Sequence, residues 1–177
     1  MLVGAACGEV VRGKSIRRSH AWAAGAVIAL LPDMDSIVLL SLGQSAAAHG
    51  FYTHTLLAVA VVTAVAWAVG GTRWGMLAGA AYASHLLVDL LRDGSTTSVF
   101  LLGPFLATAA PPLAPLFPTI PFEWGESFGP LPGLYGEQPL QRLLLQTLIG
   151  AAIFVAAIVA RELIRSRSRL RSLLSRQ

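Results

Sequence analysis

Six residues of this sequence combine useful chemistry with an unusual position, because each lies inside or beside an apolar run. They are Asp33, Asp35, His49, His54, His85 and Asp89. His85 and Asp89 are four residues apart, so a helix places the imidazole and the carboxylate on one face. An ionisable group in a membrane span is costly unless it is paired, hydrated or bound to a ligand, which makes such a group a candidate functional residue.

Imidazole and carboxylate groups together are typical ligands of zinc, and they also suit manganese and iron. Six such groups could hold one or two divalent metal ions. Paired cations about 3.5 to 4 Å apart hydrolyse phosphate esters by activating water and stabilising the oxygens. The pattern therefore predicts a metal site formed by all six residues. Within it we assign catalytic roles to Asp33, His54 and Asp89.

Each of these residues also has a plain structural interpretation. Asp33 and Asp35 could cap a broken helix. His49 could be a solvated turn residue, and His54 could cap the span that follows it. His85 and Asp89 could hydrogen-bond each other where two helices pack. His20 lies in the basic N-terminal region and is predicted to be a surface residue.

Composition places the chain among membrane proteins. Of its 177 residues, 55% are hydrophobic and 12% are charged, whereas soluble domains carry roughly 25% charged residues. One domain is expected at this length. The single cysteine excludes an internal disulfide, and no cleavable signal peptide is expected.

The apolar runs predict an all-α fold, namely a polytopic membrane bundle of about four transmembrane helices. The candidate spans are residues 21–42, 55–71, 74–91 and 143–160. A short N-terminal helix precedes them, and Pro32 interrupts the first span. Eight of the ten prolines fall between Pro104 and Pro132, which predicts an apolar, helix-poor outer cap over residues 104–132.

The basic residues orient this bundle. Eleven of the thirteen lie in the loop 12–18, at Arg73 and in the tail 161–177. With four spans all three segments fall on one side, which the positive-inside rule makes the cytoplasm of an inner-membrane protein. Topology thus explains the net charge, and no nucleic acid partner is expected. We therefore predict a membrane-embedded domain over residues 1–160 and a basic cytoplasmic tail on the anionic leaflet.

Counting the helical rise from the basic segments places the acids and histidines at roughly 18 to 28 Å, in the outer half of the bilayer. Gly75, Gly79 and Ala83 form a small-residue face on the third span, which predicts close helix packing. Arg92 ends the same span, where it could meet a substrate phosphate or pair with Asp93.

The motifs resemble those of the YdjM-like family, the LexA-regulated, membrane-bound, metal-dependent hydrolases. The matching pieces are Leu31-Pro32-Asp33-Met34-Asp35, His49-Gly50-Phe51-Tyr52-Thr53-His54-Thr55, and His85-Leu86-Leu87-Val88-Asp89 followed by Asp93-Gly94-Ser95. The similarity covers roughly residues 2–104. The family in turn is similar to zinc-dependent phospholipases C and related nucleases, whose helical sites include a His-x-x-x-Asp pair. The resemblance implies hydrolysis of a phosphoester.

Two positions depart from the family pattern. The second motif of the family usually reads His-Arg followed by Thr-His-Ser, whereas this sequence has Gly50 and Thr55. The family also tends to open with Thr-His, where this sequence has Met1. Counted from the basic loop, that histidine would lie near Asp33 in height.

Three hypotheses of different classes follow. The first is a membrane-embedded hydrolase that uses metal-activated water on a lipid-linked phosphoester. The second is a transporter of a divalent ion or proton with the same residues near the midplane, although the sequence lacks recognisable inverted repeats. The third is a non-catalytic scaffold with a structural metal. The bilayer is the expected partner in each case, and the oligomeric state is left open.

Overall fold

A computed structural model describes residues 1–13, 15–42, 50–92, 99–106, 108–114, 116 and 137–174. Within these ranges the chain forms helices and no β-strand, so the predicted all-α fold is confirmed. The helices are α1 (Leu2–Val11), α2 (Arg18–Ile28), α3 (Met34–Ser41), α4 (Leu56–Gly70), α5 (Thr72–Leu90) and α6 (Glu137–Leu174), with a 3₁₀ turn at Leu31–Asp33.

The short helix α1 lies at the centre of the packing and contacts α2, α5 and α6. Two of its glycines let α2 approach closely. A Cβ atom on Gly4 would collide with the backbone of Gly25, and one on Gly8 would collide with the carbonyl of Ala21. Because α1 is buried in this way, a helix too short to cross a bilayer alone still organises the bundle.

The first predicted span breaks at Pro32, as the sequence indicates. Proline has no N–H to continue the helical ladder, and α2 ends at Ile28. The backbone N–H of Asp33 donates to the carbonyl of Leu30 in the 3₁₀ turn. The break leaves the Ala29 carbonyl at the end of α2, where such groups lack a partner within the helix.

Helices α4 and α5 form a tight antiparallel pair joined at Gly71, whose φ is 78°. A Cβ atom on Gly75 would lie 2.8 Å from the Cβ of Trp67. One on Gly79 would lie 2.5 Å from the hydroxyl of Thr63. The predicted close packing is confirmed at these two glycines.

The prediction of four spans is met only in part. In the described ranges one helical segment, Gln141–Ser168 of α6, is long and apolar enough to cross a membrane, and only 6% of its most apolar stretch is buried. The first span is broken, and α4 has only 15 residues. Helix α5 has 19 residues but includes Arg73, His85 and Asp89, which lower its apolar character.

The three basic segments meet at one end of the molecule, which we call the basic end. The positive-inside rule predicts this shared side. Arg73 of α5 donates to the carbonyl of Val11 over 3.3 Å. Arg161 of α6 donates to the carbonyl of Gly13 over 2.9 Å. Helix α6 continues without a break across residue 160, so the basic tail begins as an extension of the last span.

Glu9 of α1 is fully buried at the basic end. It accepts hydrogen bonds from Trp22 over 2.7 Å, from Arg18 over 3.1 Å and from Arg12 over 3.3 Å. Burial by itself raises the pKa of Glu9, but the hydrogen bonds from Trp22 and Arg12 outweigh burial and hold that pKa below its usual value. This carboxylate ties α1 to the start of α2.

The described part of the proline-rich segment contains no helix, as its prolines predict. Its backbone instead follows the last turn of α5. Leu113 donates from its N–H to the carbonyl of Leu90, and Leu116 donates to that of Leu91. Residues 117–132 of the predicted cap lie outside the described ranges.

Candidate metal centre

Four ligand-type side chains from three separate segments converge near the end of α5. Nε2 of His85 lies 3.1 Å from Oδ2 of Asp89 and 3.3 Å from Oδ1 of Asp33. Nε2 of His54 lies 3.2 Å from the same Asp89 oxygen and 3.5 Å from the same Asp33 oxygen. The two Nε2 atoms are 3.3 Å apart. The predicted convergence of these four residues is therefore found.

These separations are close to the distances between neighbouring ligand atoms around a tetrahedral metal ion. Zinc binds imidazole nitrogen and carboxylate oxygen at about 2.0–2.2 Å, so two ligands of a tetrahedral ion lie about 3.3–3.5 Å apart. Five of the six distances among these four atoms, all those that involve an Nε2 atom, run from 3.1 to 3.5 Å. The ligand atoms of Asp33, His54 and His85 all lie within 4.8 Å of one another. The donor set fits a divalent metal ion.

The break at Pro32 fixes the orientation of the His85 ring. Its Nδ1 atom lies 2.7 Å from the carbonyl oxygen of Ala29. A carbonyl only accepts hydrogen bonds, so this Nδ1 carries the proton and donates it. Nε2 of His85 then faces the two aspartates, as in metal sites whose histidine donates its other N–H to a backbone carbonyl.

A chain of hydrogen bonds likewise fixes the ring orientation of His54, with the proton on Nδ1. The hydroxyl of Thr53 donates to Oδ2 of Asp35 over 2.8 Å. A hydroxyl has one proton, so its oxygen accepts the proton of His54 Nδ1, which lies 3.1 Å away. The Asp35 oxygen also accepts from the backbone N–H of Gly50 over 2.8 Å. Asp35 thus stands behind His54, and its role as a direct ligand stays a prediction.

Both Nε2 atoms therefore face acceptor atoms in a largely buried place. His54 has 1% of its side chain exposed, and Asp89 has 11%. Acceptors that face one another require a proton or a cation between them. The side chain of Asp33 is 51% exposed, so the centre is open on that side.

Asp89 is oriented by Arg92 one turn later. Arg92 Nη1 lies 3.2 Å from Oδ1 of Asp89, while Oδ2 faces the histidines. Arg92 was expected to meet a substrate phosphate or to pair with Asp93; the structure shows it paired with Asp89, and both alternatives stay predictions. Asp93 lies outside the described ranges.

Backbone contacts hold the segment that carries His54. Tyr82 donates its hydroxyl to the carbonyl of Thr53 over 2.8 Å. The carbonyl of His54 accepts from the N–H of Phe100 over 2.9 Å. Thr55 caps α4, because its hydroxyl accepts from the N–H of Ala58. The alternative that His54 serves only as this cap is therefore wrong.

The remaining sequence candidates are placed as follows. His49 lies outside the described ranges. His20 is exposed on α2, as expected.

Sequence reasoning missed the residues that orient the ligands. Thr53 was part of a recognised motif but had no assigned role, and its position next to His54 was the available signal. Tyr82 lies three residues before His85 on α5, a spacing that could have marked it. The role of the Ala29 carbonyl depends on how α2 meets α5, so no sequence pattern marks it.

Comparison with known proteins gives one match. No curated protein and no solved structure matches the chain. The model of the YdjM inner membrane protein family matches residues 1–164, a range that includes every described residue of the candidate metal centre. The chain belongs to the YdjM inner membrane protein family.

Proposed function

We propose that this protein is a membrane-embedded, metal-dependent hydrolase of a phosphoester, with a lipid-linked substrate. The observation that carries the proposal is the close approach of the two Nε2 atoms to each other and to the oxygens of Asp33 and Asp89, at 3.1 to 3.5 Å, with the side chain of Asp33 half exposed. Asp33, His54, His85 and Asp89 would hold the metal. Zinc suits two nitrogens and two oxygens best, and manganese or iron are alternatives.

A divalent ion bound by these residues would supply an activated water and stabilise charge on the phosphate oxygens. The protein residues divide the remaining tasks. Thr53 and the Ala29 carbonyl hold the protons of the two Nδ1 atoms, so both Nε2 atoms stay directed at the centre. Arg92 holds one oxygen of Asp89 and leaves the other for the ion.

The exposure of Asp33 favours a catalytic site over a structural one. Structural zinc sites are closed by their protein ligands, whereas catalytic sites keep an open position. Here His54 is buried and His85 has 14% of its side chain exposed, whereas Asp33 has half of its side chain exposed. A substrate would therefore approach from the Asp33 side.

We further propose that the chain crosses the membrane four times, with the broken helix α2–α3 as the first pass. Helix α4 supports this topology because none of its 15 residues is buried although nearly all are apolar. His85 follows Arg73 by 12 residues, which puts the centre about 18 Å from the basic end. With the basic end in the cytoplasm, the centre opens toward the outer leaflet, where a lipid-linked substrate can reach it.

The test combines metal content with turnover. Full-length protein purified in detergent is loaded with zinc or manganese, and its bound metal is measured. Release of headgroup or phosphate is then followed in vesicles that contain mixed phospholipids. We expect bound metal and turnover in the wild type, and loss of both in His85→Ala and Asp89→Ala. His20→Ala removes an exposed histidine outside the site and serves as the matched control.

The outcomes separate the three classes of function. Bound metal without hydrolysis, together with unfolding on ligand substitution, would indicate the scaffold. Ion flux in proteoliposomes without hydrolysis would indicate the transporter. If His85→Ala and Asp89→Ala bind as much metal as the wild type, the metal site itself is refuted.

A further inference from the structure

A second candidate site lies at the basic end, about 18 Å along α5 from the metal centre. A cavity of about 840 Å³ opens there between α1, α5 and α6. This volume falls in the range of small-molecule binding sites. We call it the basic cavity, and its lining divides into an apolar wall and a cationic wall.

The cationic wall carries three guanidinium groups, from Arg73, Arg161 and Arg165. Two of them are fixed against the end of α1. Arg161 donates to the carbonyl of Gly13, and Arg73 donates to that of Val11. The contact of Arg73 engages one of its five N–H donors, and its side chain is exposed.

Positive charge exceeds negative charge in this region. Arg165 pairs with the half-exposed Glu162 over 3.0 Å. The buried Glu9 lies 3.7 Å from Arg161 and is closer to two other arginines, Arg12 and Arg18. Five arginines therefore meet two carboxylates among the described residues, and at least three positive charges are left. The cavity complements an anion.

The apolar wall runs along α6 and α1. It consists of Val10, Ala157, Ala160 and Ile164. The small side chains of Ala157 and Ala160 leave room beside the helix, and this face continues into the exposed apolar surface of α6. The guanidinium groups lie where that surface passes into the basic tail; with α6 as a membrane span, they would lie at the level of the lipid headgroups.

We propose that the basic cavity binds an anionic phospholipid, with the phosphate on Arg73 and Arg165 and an acyl chain along the apolar wall. A soluble anion would use the cationic wall alone and leave the apolar wall without a partner. Phosphatidylcholine, which is zwitterionic, would bring a quaternary ammonium group next to the guanidinium groups. The bound lipid would hold α6 against α1 at the basic end. This site is independent of the proposed hydrolase activity.

The test uses full-length protein in detergent and native mass spectrometry with added phosphatidylglycerol or phosphatidylcholine. We expect retention of one phosphatidylglycerol in preference to phosphatidylcholine. One arginine near an anionic surface changes lipid affinity about fivefold, so Arg73→Gln with Arg165→Gln should weaken phosphatidylglycerol binding about 25-fold. Arg161 is left in place because it donates to two backbone carbonyls near the end of α1, those of Val10 and Gly13, whereas Arg73 makes a single such contact.

Two comparisons make the test specific. Arg17→Gln with Arg167→Gln removes the same charge from exposed positions that do not line the cavity, and it should leave lipid binding within about twofold. Ala160→Phe fills the apolar wall without changing the charge and should also weaken phosphatidylglycerol binding. Thermal unfolding of each variant shows whether it is folded.

Three results would overturn the proposal. Equal loss in the Arg17→Gln, Arg167→Gln control would show that only overall charge attracts the lipid. Displacement of phosphatidylglycerol by millimolar inorganic phosphate, with Ala160→Phe unchanged, would show a site for a free anion. Equal retention of the two lipids by the wild type would show that the arginines do not select for charge.

Discussion

Removal of one hydroxyl, in Thr53→Val, tests whether His54 is held in the form that binds metal. Valine has nearly the shape of threonine but cannot accept the proton of His54 Nδ1. His54 is buried, with 1% of its side chain exposed, so that N–H loses the hydroxyl acceptor at a site with little access to water. An unsatisfied buried donor costs about 1–3 kcal/mol.

This penalty applies to the tautomer that presents Nε2 to the centre, so it should lower metal affinity directly. A penalty of about 1–3 kcal/mol corresponds to a weakening of roughly 5- to 150-fold. This range agrees with the 10- to 100-fold losses typical when a group that orients a metal ligand is removed. We therefore expect the dissociation constant for zinc to rise about 10- to 100-fold in Thr53→Val.

The assay is a zinc titration of the purified full-length protein against a competing chelator. Thr63→Val is the matched control, because the Thr63 hydroxyl donates to the carbonyl of Val59 within α4 and lies away from the metal centre. Asp35→Ala adds a second comparison. It should behave like Thr53→Val if Asp35 acts through Thr53, and like His85→Ala if Asp35 is a ligand. A zinc affinity of Thr53→Val within twofold of the wild type would refute the proposed role of the hydroxyl.

Three further predictions follow from the packing and the charges. Glu9→Gln should destabilise the protein by about 3 kcal/mol, because it leaves the buried Arg12 without its carboxylate; thermal unfolding in detergent measures this. Folding lowers the pKa of Glu9, so its carboxylate adds to the free energy of unfolding above the unfolded pKa of about 4.3. This contribution is lost as the pH falls toward the lower folded pKa. The stabilities of the wild type and of Glu9→Gln should therefore converge in acid. Gly75→Ala should cost about 1–3 kcal/mol, because its Cβ would press on that of Trp67. Removal of metal with a chelator should lower the unfolding temperature of the wild type, since a ligand at 100 times its dissociation constant stabilises by about 2.7 kcal/mol.

Each of these predictions has its own control. Glu162→Gln removes an exposed carboxylate and should change stability by less than about 1 kcal/mol; a similar effect of Glu9→Gln would contradict the role given to burial. If Gly75→Ala unfolds at the wild-type temperature, α4 and α5 are not as close as described. A chelator that lowers the unfolding temperature of His85→Ala as much as that of the wild type would point to metal bound elsewhere.

The sequence by itself determined the features that depend on local geometry. Helical periodicity put His85 and Asp89 on one face, and proline predicted the break at Pro32. The glycines of α5 predicted a close neighbour, and the distribution of basic residues predicted that three distant segments share one end. Each of these conclusions needs only the rise or the period of a helix, or the charge that each segment carries, and none needs the way the segments pack.

The tertiary structure decided how the segments are rotated against one another. That rotation directs Asp33 to the histidines and Asp35 to Thr53, although both follow the same proline. It also brings the Ala29 carbonyl to His85. The rotation of a helix about its axis is set by all the side chains that pack against it, and these come from distant parts of the chain. For this reason the sequence could name the candidate ligands, and only the fold could assign their partners.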